Sequence, residues 1–429
     1  MTKQIILCLM LAACAAGLHA SALSNLAASM QPKTWATLST QGLSAALGGY
    51  SGCATSPLEY ADNAVWDPVH KKLYFLGAPH YCWPWKFLIY DEATNQWSTG
   101  LLPASGMNSG GSQIGHAYDH NAVDPATGDV FHKPYNDRNI YRYSNGSWSL
   151  YTTFNATISP SINITGGLSW FPEMGGLVFI QGGGTAVSAA FYKASTQQWS
   201  RLATNLSMGN YQEMIAYDPV HKVVLFGGGG GSSDWYAVDA GGIVTKKKNA
   251  PASFDVNGDI LKPDPVTGKI FLFPYGGSSA YEYDYPTDTW SAFSGTAPPF
   301  TPGISISAPV GDYGVIMFVT NSSVYLYKHA AGSVVEAGIP AGHGSPRLSI
   351  SPNPVSAITR VRITFPEEFG ASSSLRIYDL KGRLISDLSG VRESRRSVTW
   401  NATGVPSGIY LVRCSQGGRA VEQRVTLMK

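Results

Sequence analysis

The chain is poor in charge. Only 14 % of its 429 residues are Asp, Glu, Lys or Arg, and the net charge is +2. A balance so close to zero gives no global case for nucleic acid or an acidic membrane surface. Long apolar runs at helical spacing are missing too, which leaves short strands as the material of the core. No pair of carboxylates stands out for glycoside hydrolysis. No Ser-His-Asp set can be picked from scattered serines and nine histidines. The glycine runs are followed neither by a helical pattern nor by a Lys-Ser/Thr pair, so they are not phosphate loops. Cysteine is scarce, at five residues.

What the sequence does hold is glycine (47), tyrosine (23) and tryptophan (11). That composition suits an all-β protein of many short strands with glycine-rich turns. Charge is split along the chain. Residues 347–429 carry 13 Lys/Arg against 6 Asp/Glu, a net of +7, which leaves −5 for the remainder. Such a shift marks a domain boundary.

Residues 1–22 read as a secretory signal: Lys3, the apolar run Ile5–Leu11, then small residues through Ala20, with Ala20 and Ala22 both suitable cleavage points. The apolar run is too short for a membrane anchor. Leu11-Ala12-Ala13-Cys14 also resembles a lipobox, which would make Cys14 a lipidated terminus. Removal of the signal leaves Cys53, Cys82 and Cys414 in an oxidising compartment.

From Trp35 to about Gly338 one unit recurs. Its fullest copy is Asp264–Trp290: an Asp-Pro turn, an apolar strand, a Gly-Gly pair, an aromatic strand, and a Trp after Tyr283 with six residues between. Asp67-Pro68, Asp124-Pro125, Pro172-Glu173, Asp218-Pro219, Asp264-Pro265 and Gly311-Asp312 each precede an apolar strand. From Pro125 on, the prolines are 47, 47 and 46 residues apart. Proline presets φ and cannot sit in a central strand, so each Asp-Pro fixes a turn between two strands. Tyr90/Trp97, Tyr141/Trp148, Tyr192/Trp199 and Tyr283/Trp290 repeat the aromatic spacing, and Tyr327/Val334 keeps it without the Trp. Four strands per unit at a period of about 45–57 residues is the pattern of a β-propeller. The diglycine, Tyr and Trp at this spacing resemble kelch repeats. Unit two departs at the diglycine (His132-Lys133-Pro134), unit six at Thr320-Asn321, and units four and six lack the Trp. The resemblance implies a kelch-like propeller over 30–338, six-bladed with a seventh blade left open. Trp35 stands alone as an outer strand expected to complete the last blade.

The Asp-Pro turns share one face, and His70 and His221, in equivalent copies of Asp-Pro-Val-His, are turn residues. The other face varies. It holds the aromatic loop Pro79–Trp85 and the segment Gly115–His120. His80, Tyr81, Trp83, Trp85, His116 and His120 are therefore the candidate ligand-binding residues, since exposed aromatics stack on sugars or anchor partner proteins. A Cys53–Cys82 disulfide would pin the loop. Galactose-oxidase-like enzymes, which use a kelch propeller, hold copper with His and Tyr residues and a Tyr joined to Cys. His116, His120, Tyr81 and Cys82 supply those elements without the recognisable placement. No catalytic residue, metal ligand or cofactor is assigned. The Asp-box motif of sialidase propellers is missing.

Residues 339–348 form a linker by composition, and 349–429 a small β-sandwich of short alternating strands. Ser351-Pro352-Asn353-Pro354, the stretch Leu375–Leu384, the run Gly404–Val412 and the terminal Arg424–Lys429 resemble the type A C-terminal sorting domain of the type IX secretion system. With it, the fold is a kelch-like propeller followed by an immunoglobulin-like sandwich. The resemblance implies a Bacteroidetes-like source and contact with the type IX machinery through 349–429. It also implies release outside the outer membrane or attachment to surface lipopolysaccharide. The function expected is binding of a glycan or a protein, not of nucleic acid. The alternative is a secreted enzyme on the same scaffold, copper-radical oxidase-like or carbohydrate-active.

Overall fold

The structure, a computed structural model, describes residues 21–48, 56–79, 85–103, 117–135, 137–154, 158, 166–182, 188–277, 279–331, 348–351, 355–356, 360–364, 373–379, 383–389, 397–416 and 419–428. The signal segment 1–20, the Cys53–Cys82 pair and Val334 lie outside them. The chain divides into two compact units, meeting at Gly342/His343. No helix among the described residues is long and apolar enough to cross a membrane.

The first unit is all-β and propeller-like. Among the described residues it has six four-stranded antiparallel sheets, and in five of them the strands follow chain order. The first comprises Val65–Asp67, Lys72–Gly77, Lys86–Asp91 and Gln96–Gly100. In each the first strand is inner and the fourth outer. The second strands are the most apolar: Gly176–Ile180, Val223–Gly227 and Ile270–Phe273 are buried along their whole length. The outer strands are the most exposed, with Gln96–Gly100 exposing every residue but Trp97 and its last glycine. Inner strands touch their neighbours in cyclic order, that of the first sheet meeting both the second and the sixth. Parallel bridges Ala61–Tyr118, Asn63–Ser307 and Asp119–Gly167 join them.

The sixth sheet takes its outer strand from the other end of the unit. Strand Thr34–Leu38 pairs antiparallel with Val324–Lys328, putting Trp35 opposite Tyr327. The rings lie 4.7 Å apart, so Trp35 supplies the aromatic that the sixth repeat lacks. The pairing covers the outer edge that Val324–Lys328 would otherwise leave open. The helix before it, Ala22–Ser29, is capped by Ser21 and buries Leu23 and Ala27. The compact unit therefore begins ahead of the expected residue 30. Cleavage after Ala20 keeps this cap, whereas cleavage after Ala22 removes it.

Register explains the aromatic spacing and corrects it once. Tyr90, Tyr192 and Tyr283 stand directly opposite Trp97, Trp199 and Trp290. In the second repeat the partner of Trp148 is Tyr143, not Tyr141. The hairpin there is a two-residue turn, Asn145-Gly146, with φ of 49° and 83°. It is shorter than the connections in the other units and slides the pairing by two residues.

The second unit has a three-stranded sheet (Ser349–Ser351, Arg360–Thr364, Ser397–Asn401) and a five-stranded one. Val361, Ile363, Val398 and Trp400 from the first share one apolar core with Leu375, Ile377, Val412 and Val425 from the second.

Candidate functional site

The innermost strands end in polar residues, and the sheets bury them around the axis. Asp62 accepts hydrogen bonds from the Leu261 amide (2.9 Å), Lys262 Nζ (2.7 Å) and Ser307 Oγ (2.7 Å). It therefore ties units one, five and six together. Asp119 reaches from unit two to the Ile215 amide of unit four through Oδ2, at 2.9 Å. Its Oδ1 is buried with no hydrogen-bond partner among the described residues. Burial raises its carboxyl pKa to about 7, with the Asp62 charge adding and Lys262 opposing.

Beside this axis, the first and second repeats bury a cluster of polar rings and one lysine. Trp85 stands 5.6 Å from His132, and His132 6.4 Å from His120, between ring centroids. Trp85 is 3 % exposed, Lys133 2 %, and both histidines are fully buried. Asn121 fixes one ring. Its Nδ2 donates to the Asn63 and Leu76 carbonyls, and the Leu76 amide donates to its Oδ1. Oδ1 is therefore an acceptor, and His132 Nδ1, 3.0 Å away, carries the proton. The Nε2 of His132 is left with a lone pair. Burial, then the Lys133 charge, lowers the His132 pKa to about 3. His120 is held well below its usual value by burial, Lys133 and His132, with the Lys133 backbone opposing. Burial brings Lys133 down to about 8 against the pull of Asp137.

Four ring nitrogens in this cluster have no well-formed hydrogen bond among the described residues: Trp85 Nε1, His120 Nδ1, His120 Nε2 and His132 Nε2, although the Lys133 backbone lies near enough to His120 to act on its pKa. An unsatisfied buried polar group costs about 1–3 kcal/mol, so a run of four calls for an occupant. Among the described residues no three His, Cys, Asp or Glu converge as metal ligands.

Of the residues expected from sequence, the structure brings Trp85 and His120 together here, linked through His132. His80, Tyr81, Trp83 and His116 lie outside the described residues, as do Cys53 and Cys82. Trp85 does not offer a face to solvent as expected, because it packs at the head of strand Lys86–Asp91 with Tyr74, Leu76 and Phe87. Its indole N–H is what remains to be used. Sequence reasoning missed His132, Lys133, Asn121, Asp119, Asp62 and Lys262. The signal for the first two was in plain view. Where units three, four and five have glycines after the second strand, unit two has His132-Lys133-Pro134.

His70 and His221 behave as turn residues. Each gives its Nδ1 to the Asp three places before it, at 2.6 Å. Those Asp side chains also accept the backbone amides of Val69 and His70, and of Val220 and His221.

Comparison with known proteins agrees for the second unit. Residues 349–428 match the family described as secretion system C-terminal sorting domain. This is the sorting domain of the type IX system, and it marks the chain for export to the cell surface or beyond. No curated protein matches the chain. Similar solved structures include a fungal alcohol oxidase of the AA5 family in complex with copper, at 14 % identity. It covers 89 % of this chain and 100 % of that one, with a TM-score of 0.41. An auxiliary nutrient binding protein from Bacteroides ovatus (11 % identity, 68 % and 75 % covered, TM-score 0.46) is similar. So is a Bacteroides thetaiotaomicron protein of unknown function (12 %, 68 % and 75 %, 0.46). Likeness at this level says nothing of what this chain binds or does.

Proposed function

We propose that this protein is a binding module displayed outside the cell. In this reading a six-bladed kelch-like propeller, closed through Trp35, recognises a glycan or a protein by the face opposite the Asp-Pro turns. The immunoglobulin-like sorting sandwich engages the type IX machinery and is removed, with release of the propeller or its attachment to surface lipopolysaccharide. A signal peptide ending at Ala20 precedes both. His80, Tyr81, Trp83, Trp85, His116 and His120 are the ligand-binding residues of this reading.

One observation carries the reading: the repeat is broken in unit two by His132-Lys133, and the break coincides with a run of unpartnered buried nitrogens. Scaffold residues recur from repeat to repeat, whereas His132 and Lys133 stand in one repeat alone. The test is an array of glycans and outer-surface proteins probed with the full chain and with Trp83→Ala. Binding weakened by the substitution supports a site on this face. Silence on every class of probe sinks the binding module. Stoichiometric copper in the purified chain, lost with His120→Phe, would move the assignment to the oxidase alternative.

A further inference from the structure

We propose that the chain carries a receiving site for its own processed N-terminus: cleavage between Ala20 and Ser21 frees an α-ammonium that pairs with the buried carboxylate of Glu92. The inference rests on the reading above that a signal peptide ends at Ala20, and adds what the new terminus does.

Glu92 lies in the turn that joins the third and fourth strands of the first repeat, and it is 4 % exposed. Its Oε1 is used twice, by Ser21 Oγ and by Tyr313 Oη at 2.6 Å. Its Oε2 is buried with no hydrogen-bond partner among the described residues. The Glu92 amide donates to Lys71 O at 3.2 Å, but the lysines of that neighbouring turn are committed to other carboxylates. Lys71 pairs with Asp312 at 2.5 Å and Lys72 with Asp91 at 3.0 Å. A buried carboxylate held by two hydroxyls, with one oxygen idle, is poorly compensated.

Ser21 brings the missing charge within reach. It caps the helix Ala22–Ser29, its Oγ accepting from the Ser24 amide at 2.9 Å. Its nitrogen is three covalent bonds from that oxygen, within about 4 Å of it. In the uncut chain this nitrogen is an uncharged amide. Hydrolysis of the Ala20–Ser21 bond by water leaves a carboxylate on Ala20 and an amine on Ser21, which takes up a proton near pH 7. A cation at a helix N-terminus opposes the macrodipole, so an ammonium there needs a carboxylate beside it. Glu92 is that carboxylate, and the three N–H groups of the ammonium include one for Oε2.

The location gives the pairing a consequence. Leu23 and Ala27 of the helix share one apolar core with Trp66 and Leu73 of the first repeat and Val310 and Val315 of the sixth. Glu92 belongs to the first repeat and Tyr313 to the sixth, so the docked terminus fastens the seam between those two sheets.

The test takes the exported protein, its N-terminus read by mass spectrometry, with its Glu92→Gln variant and each chain acetylated at the α-amine. Amine labelling at pH 7 is followed at Ser21 by peptide mapping, and melting is recorded for every form. Expected are a mature chain that starts at Ser21 and labelling there about tenfold slower than in Glu92→Gln. Acetylation should lower Tm by about 2 °C or more, a drop that the Glu92→Gln chain does not show. Acetylation leaves Glu92 in place, so it decides the matter even where Glu92→Gln fails to fold. Equal labelling, or an unchanged Tm on acetylation, overturns the proposal while the signal reading stands, and leaves Glu92 as a counter-charge to the helix alone. A mature chain that starts elsewhere, or a diacylglycerol on Cys14, overturns both.

Discussion

The Asp-His turns show how a single residue can look functional and be scaffold. Asp67 and Asp218 are buried, each closing its turn through two backbone amides and one imidazole. A Cβ on Gly128 of the next unit would come within 2.7 Å of the Asp67 carboxylate and the His70 ring, so the motif also seats its neighbour. His70→Ala should cost about 0.5–1.5 kcal/mol in urea unfolding and leave ligand binding alone. A loss of binding would contradict the turn assignment. Asp119 makes the opposite case. Its folded pKa of about 7 lies above the ordinary carboxylate value of 3.8, so the native state holds a proton that the unfolded chain has released. Its contribution to stability is therefore present at low pH and is lost as pH rises from about 4 to 7. The buried histidines act in the other direction, since their folded values lie below 6.5 and stability falls as pH drops through it. Asp119→Asn should raise Tm at pH 8 and flatten the slope between pH 4 and 7. An unchanged slope would show that the carboxyl stays ionised.

At the scale of the element, the outer strand Thr34–Leu38 and the hairpin at Asn145-Gly146 test different physics. Trp35 packs on Tyr327, Phe318, Phe300 and Phe273 and donates its indole N–H to Thr296 O at 2.8 Å. Trp35→Ala should cost about 3 kcal/mol, and deletion of 30–40 should lower the Tm of the whole first unit. If the truncated unit melts unchanged, closure through this strand is wrong. Gly146 has φ of 83° and open space around it, so Gly146→Ala should cost only about 1 kcal/mol, from backbone strain alone. Period, turns and aromatic spacing were legible because they obey local rules: proline and glycine punctuate, and an opposed Tyr-Trp pair needs a fixed loop. The Tyr143–Trp148 pairing was not, because the register of one hairpin depends on whether its turn has two residues or more. Nor was the capped helix at Ala22–Ser29, whose short amphipathic run sits against the end of a signal-like sequence.

For the whole molecule, the chain divides into two compact units, and the second has an apolar core of its own. The sorting domain was legible throughout, since its motifs lie in order along one short module and need no long-range contact to be seen. The ligand site was legible only in part. His120 was a candidate from sequence, but its neighbours Trp85 and His132 come together only when the first and second repeats pack. A buried donor or acceptor without a partner leaves no trace in a sequence. Where sequence did point, it was by departure from the repeat. Export has its own check: a reporter fused to residues 345–429 should reach the outside of a type IX-competent host, and retention in the periplasm would contradict the assignment. The central claim, that unit two holds its ring nitrogens for a ligand, is tested most directly by long-range ¹H–¹⁵N NMR of the histidine rings. His120 and His132 should stay neutral from pH 5 to 8, with the His132 proton on Nδ1, and both rings should shift when a glycan or protein ligand found on the array saturates the protein. Rings that titrate in that range, or that do not move at saturation, would contradict it.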